Sequence, residues 1–153
     1  SPSWVEIEIT ESALVQSIEH AVGALGTLRE MGVRVVIDDL GVAYSALSYL
    51  KRFQVDGIKL DRGFVAGVPD GAVDSAITRS IIALAGSLNL RLVAEGVERE
   101  AQRHYLLQQG CQEAQGYLFS RPLCDSEMET LLAQRCRRYG EPAQLVPAEA
   151  SLQ

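Results

Sequence analysis

The sequence has no apolar run near the roughly 20 residues that a membrane-spanning helix needs. Its opening, SPSWVEIEIT, has neither the basic start nor the apolar stretch of a signal peptide. Positive charge is scarce: 14 Lys and Arg stand against 20 Asp and Glu, a net charge of −6. That balance argues against a nucleic-acid polymer as partner, because such affinity comes mostly from Lys and Arg neutralising phosphates. An acidic protein that handles phosphate does so more readily through a metal ion. The cysteines, Cys111, Cys124 and Cys136, are odd in number and show no CxxC spacing. Neither a disulfide framework nor a zinc site is indicated. Reduced thiols fit a cytoplasmic setting, alone or within a larger membrane-attached protein. His20 and His104 are isolated and read as helix-surface residues rather than ligands. No Gly-rich phosphate loop follows the first strand, so a dinucleotide-binding fold has no support.

What is present is an ordinary globular composition, 47% hydrophobic and 22% charged over 153 residues, enough for one domain with its own core. A β-then-α pattern repeats. Residues 4–9, Trp-Val-Glu-Ile-Glu-Ile, alternate apolar and acidic with the strand period of two. Leu14, Ile18, Ala21, Val22, Leu25 and Leu28 then recur at helical spacing, and Gly32 stands where a helix stop is expected. Residues 33–37 read as a buried strand, followed by a loop to about Tyr44 and a short helix ending near Arg52. Residues 57–60 are a third strand, followed by a long helix with Val73, Ile77, Ile81, Leu84 and Leu88 on one face. A fourth strand at 90–94 leads to a helix through Leu107, and a fifth strand lies near 114–118. A last helix runs from about Ser126 to Tyr139, closing a domain at 1–139. Residues 140–153, with Pro142 and Pro147, lack periodicity and read as a disordered tail.

Five such units imply a parallel sheet with right-handed crossovers. Two α/β architectures compete: an open doubly wound sheet and a partial (β/α)8 TIM-type barrel. A full barrel needs about 250 residues. Five units would therefore be part of one, with strands missing before residue 4.

Polar residues gather where the strands end. Glu8 and Glu11 close the first, Asp38 and Asp39 the second, Lys59 and Asp61 the third, and Glu95 and Glu98 the fourth, while Gln115 lies in the fifth. In parallel α/β folds the carboxyl ends of strands face the ligand. Asp38, Asp39, Glu95 and Glu98 could equally be helix caps or first-turn acids. Lys59 is harder to set aside. It faces away from its neighbours Ile58 and Leu60, and a buried ammonium must meet carboxylates. The adjacent Asp38 and Asp39 repel each other unless a cation or hydrogen bonds compensate. Several carboxylates with one Lys suit hard divalent cations, Mg²⁺ or Mn²⁺. Two such ions would serve phosphoester hydrolysis.

Six segments carry a resemblance: Glu8-Ile-Thr-Glu11-Ser, Val36-Ile-Asp38-Asp39-Leu-Gly, Tyr49-Leu-Lys-Arg-Phe, Ile58-Lys59-Leu-Asp61, Val93-Ala-Glu95-Gly-Val-Glu98 and Ala114-Gln115-Gly-Tyr-Leu-Phe-Ser-Arg-Pro. In order and spacing, from about Val5 to about Leu132, they resemble the EAL-domain family of bacterial phosphodiesterases, which open cyclic di-GMP to linear pGpG. The resemblance implies a (β/α)8-type barrel with two Mg²⁺ or Mn²⁺ ions. By that resemblance Glu8, Asp38, Asp39 and Glu95 would be metal ligands, with Asp38 bridging. Lys59 would hold or activate the attacking water. Gln115 would contact the water or the site edge. Glu98 and Asp61 would lie just outside the ligands, and Glu11 would steady the loop after Asp39. Arg121 and Pro122 would belong to the guanine-binding wall.

Two departures accompany it. The Glu-Ala-Leu motif and the Asn-bearing strand after it are absent from this sequence and would precede residue 1. The expectation is therefore the C-terminal portion of the domain, inactive by itself. The loop after the Asp pair reads Leu40-Gly-Val-Ala-Tyr-Ser-Ala-Leu47, where the family has Phe and then Gly-Thr-Gly-Tyr-Ser-Ser-Leu. Ala43 takes positive φ less cheaply than Gly. This loop favours the alternative of a non-catalytic cyclic di-GMP receptor. An unpaired first strand further implies a homodimer or element exchange, and the family's usual neighbours imply an upstream sensory or GGDEF-type domain.

Overall fold

A computed structural model describes residues 1–16, 18–38, 53–139 and 150–151. A 3₁₀ turn, Pro2–Trp4, leads into β1 (Glu6–Thr10), which is followed by α1 (Glu11–Gln16), α2 (Ile18–Glu30) and β2 (Arg34–Asp38). The Asp39 carboxylate, the loop after it and the short helix expected before Arg52 lie outside the described residues. Next come β3 (Gly57–Leu60), α3 (Arg62–Gly67), α4 (Ala72–Ser87), β4 (Arg91–Ala94), α5 (Glu100–Gln108), β5 (Glu113–Ala114) and α6 (Asp125–Tyr139). Of the tail expected to be disordered, only β6 (Ala150–Ser151) is described, and it pairs antiparallel with β5.

The five strands β1 to β5 pair in strict chain order and all in parallel. A doubly wound sheet reverses its order at a switch point, whereas a barrel places each strand beside its successor. The order therefore decides for the barrel-type winding.

Strand alternation divides the sheet into two faces. Val35, Ile37, Ile58, Leu60, Ala94 and Ala114 point outward into a core shared with Leu14, Leu25, Val65, Ile82, Ala85 and Leu106 of the helices. The opposite, inner face carries Glu6, Glu8, Arg34, Val36, Asp38, Gly57, Lys59, Arg91, Val93 and Glu113. Val36 and Val93 are buried there, apart from the outer core. At the amino ends of the strands Arg91 spans this face. Its Nη1 lies 2.6 Å from Glu6 of β1 and its Nε 2.7 Å from Glu113 of β5. Gly57 lets it pass, since a Cβ there would stand 2.9 Å from the Arg91 carbonyl oxygen and 3.2 Å from its Cβ.

Two elements differ from the sequence expectation. The buried face of α4 is Ser75, Thr78, Ile81, Ile82 and Ala85, and Val73 is 70% exposed. The helix is turned so that small side chains lie deepest, which permits close approach to the sheet, while Ile77 and Leu84 flank the contact. The fifth strand covers only Glu113–Ala114. The chain then turns at Gly116, where a Cβ would meet the Val97 backbone at 2.2 Å, and Leu118 N–H donates to the Val97 carbonyl.

Candidate active site

At the carboxyl ends of the strands, the inner face brings together four side chains that are far apart in sequence. Lys59, the penultimate residue of β3, is buried between outward-facing Ile58 and Leu60. Its Nζ lies 2.6 Å from Glu8 Oε1 of β1 and 2.6 Å from Glu95 Oε1. Glu95 immediately follows β4 and is anchored by its own N–H, which donates to the Leu60 carbonyl at 3.0 Å. Gln115 follows β5, and its N–H donates to the Ala94 carbonyl at 2.8 Å. Its Nε2 donates to Glu95 Oε1 at 2.5 Å. One carboxylate oxygen of Glu95 thus accepts from both Lys59 and Gln115.

The electrostatics follow from this geometry. Burial works to lower the Lys59 pKa, but hydrogen bonds and charge from Glu8 and Glu95 outweigh it and hold the ammonium above its ordinary value. Lys59 is therefore a buried cation that donates hydrogen bonds to both carboxylates. Asp38 ends β2, opposite Thr10 of β1, and adds a carboxylate to the inner rim. Among the described residues no three Asp, Glu, His or Cys side chains are grouped as a metal site. The Lys59 ammonium stands between the two best-placed carboxylates, where it does the neutralising.

The other sequence candidates sit around this centre. Asp61 caps α3, its Oδ1 accepting from Gly63 N–H at 2.8 Å. Glu98 pairs with Arg62 at 2.8 Å, both side chains largely exposed. Glu11 is 2% exposed at the start of α1, where the helix dipole favours an anion. The Arg121 guanidinium lies 4.7 Å from the centre of the Tyr117 ring, and Pro122 follows on the surface.

Two residues were not singled out in the sequence. Gln102 of α5 is 3% exposed and bonds on both sides of its amide. Arg99, just before α5, reaches the carbonyls of Val68 and Ala66 and the carboxylate of Asp70. The only local signal was a Gln three residues after a helix start, the capping-box position, and Arg at the cap itself obscured it.

A family model of the EAL domain matches residues 1–122. The cyclic di-GMP phosphodiesterase NbdA of Pseudomonas aeruginosa is 44% identical over 129 residues, which are 84% of this chain and 16% of that protein. The chain thus spans about a sixth of that relative's length. Among solved structures, the EAL domain of Mycobacterium smegmatis DcpA superposes with a TM-score of 0.80 at 52% identity, covering 85% of this chain and 58% of that one. The manganese/cyclic di-GMP complex of Klebsiella pneumoniae BlrP1 gives a TM-score of 0.74 at 38% identity, covering 79% of this chain and 31% of that one. With the strand order, the rim of Glu8, Lys59, Glu95 and Gln115, and a match over most of its length, the chain belongs to the EAL domain family.

Proposed function

We propose that this chain forms part of the catalytic site of a phosphodiesterase that hydrolyses cyclic di-GMP to linear pGpG. The observation that carries the reading is the convergence of Glu8, Lys59, Glu95 and Gln115 on one inner rim. Glu8, Asp38 and Glu95 are not grouped as a metal site by themselves, but their carboxylates share the inner rim and are of the oxygen-donor type that would hold divalent cations of the Mg²⁺ or Mn²⁺ kind once further ligands join them. Asp39 and ligands from the family's Glu-Ala-Leu motif and Asn-bearing strand would join Asp38 in holding two such ions. The manganese in the BlrP1 complex supports that choice of ion. Bound ions of this type acidify water and neutralise phosphate charge.

The chain's own residues have distinct parts in the reaction. Water adds to phosphorus, the P–O3′ bond breaks, and the leaving oxygen takes a proton. Lys59, held as an ammonium, donates to the attacking water or to a phosphoryl oxygen as charge develops. Gln115 fixes the Glu95 carboxylate by donating to one of its oxygens. Asp61, Glu98 and Glu11 hold the surrounding loops. Arg121 stacked on Tyr117, with Pro122, offers a flat wall against which a guanine base can lie.

The test is a cyclic di-GMP titration and a turnover assay on the longest natural polypeptide containing this chain. Binding with metal-dependent release of pGpG supports the phosphodiesterase. Tight binding without turnover supports the receptor reading, which the sequence Leu40-Gly-Val-Ala43 favours. Absence of binding refutes both.

A further inference from the structure

The segment Glu95–Arg99 carries the central carboxylate, yet β4 ends at Ala94 and no strand ladder holds it. Beside the backbone bonds of Glu95 and Val97, one buried amide ties it to the rest of the fold. Gln102 Oε1 accepts from the N–H groups of Glu98 and Arg99, each at 2.9 Å. Gln102 Nε2 donates to the Val65 carbonyl at 3.0 Å and the Ala66 carbonyl at 3.4 Å. Those carbonyls belong to α3, which starts three residues after Lys59. A Gln serving only as a helix cap would bond to its own helix start. Gln102 does so through the Arg99 N–H, and in addition it joins the loop after β4 to the helix after β3. The ends of the two strands that carry Glu95 and Lys59 are thereby clamped together beyond their last rung.

The surrounding packing has the same sense. Gly96 has φ +66°, and a Cβ there would stand 2.3 Å from Arg62 Cγ, so the loop lies flat on the first residue of α3. Arg99 adds a second tie to the end of α3 through Val68 O at 2.9 Å. On the other side, Val97 N–H donates to the Gln115 carbonyl at 3.0 Å. The loop that Gln102 holds is therefore also the support of Gln115.

We propose that Gln102 is a positioning residue, which sets the Glu95 carboxylate against Lys59 and Gln115 by tying the Glu95–Arg99 loop to α3. Its consequence for rate rests on the phosphodiesterase reading. Its consequence for loop order does not.

The experiment compares wild type, Gln102→Leu and Gln102→Glu in the longest natural polypeptide containing this chain. Turnover of cyclic di-GMP, KM and amide hydrogen exchange at Val97, Glu98 and Arg99 are measured. Gln102→Leu is expected to lower kcat by about 100-fold, the scale of a misplaced reacting group, with KM nearly unchanged and faster exchange at the three amides. Gln102→Glu keeps the acceptor for Glu98 and Arg99 but loses the donor to Val65, and should recover part of the rate. A kcat per folded molecule equal to wild type, with only thermal stability reduced, overturns the proposal. So does unchanged exchange at the three amides. If Gln102→Leu fails to fold, Gln102→Glu is judged by the same two criteria. If wild type itself shows no turnover, the phosphodiesterase reading falls, and amide exchange alone decides for or against the clamp.

Discussion

Replacing Lys59 by Met removes the one cation between Glu8 and Glu95 while keeping most of the side-chain volume. Lys59's side chain is only 9% exposed, and the carboxylates it joins are unequal: Glu95's side chain is 20% exposed and Glu8's 47%. Breaking a fully buried ion pair costs about 3–5 kcal/mol, and an exposed one about 0–1 kcal/mol. Solvent relieves the Glu8 arm, so the Glu95 arm carries most of the loss, and we expect about 2–3 kcal/mol of destabilisation. Loss of a preorganised donor at the reacting centre should lower kcat by about 10²–10³-fold. Lys59→Arg should not restore it, because the bulkier guanidinium spreads its charge over three nitrogens and does not fit the buried position of the compact Lys59 ammonium. The assay is steady-state cyclic di-GMP hydrolysis at saturating substrate, with circular dichroism to confirm folding and substrate titration to confirm binding. Wild-type kcat in folded Lys59→Met would remove Lys59 from the reaction.

Other expectations follow from the same geometry. Gly57→Ala places a methyl against the Arg91 backbone and should destabilise by about 1–3 kcal/mol; an unchanged urea midpoint would contradict the close approach of β3 and β4. Without metal, the raised Lys59 pKa stabilises the fold fully below the unfolded value of about 10.4 and is lost as pH rises through the folded value. Thermal melts should therefore fall off more steeply in that alkaline range for wild type than for Lys59→Met; parallel curves would refute the coupling. Burial pushes the Cys111 thiol up to about 11, whereas Cys124 is exposed. An alkylating reagent at mildly alkaline pH should mark Cys124 in the native protein and Cys111 only after unfolding, as peptide mass spectrometry would show.

Lys59 was legible in the sequence because a lone Lys on an apolar strand must find carboxylates, and it finds Glu8 and Glu95. The parallel sheet was legible from the repeated β-then-α period, which barrels and doubly wound sheets share, whereas the barrel winding was legible through the family resemblance rather than the period. The order β1 to β5 agrees with that winding. For α4, hydrophobic spacing marked a face that includes exposed Val73, because the spacing cannot tell that Ser75 and Thr78 allow the closest packing. Asp61 and Glu98 look alike as acids after strands, yet one caps a helix and the other meets Arg62. Gln102 was hidden for a different reason. Its partners Val65 and Ala66 lie 37 and 36 residues away and are backbone carbonyls, which no side-chain pattern reveals.

The central claim is that the rim of Glu8, Lys59, Glu95 and Gln115 serves phosphodiester hydrolysis. The most direct measurement incubates cyclic di-GMP with the longest natural polypeptide containing this chain, with Mg²⁺, with Mn²⁺ and with a chelator, and separates the products by chromatography. Our account predicts pGpG with either metal, none with the chelator, and none from Glu95→Gln. Intact cyclic di-GMP under every condition, from folded protein that binds it, would contradict the account.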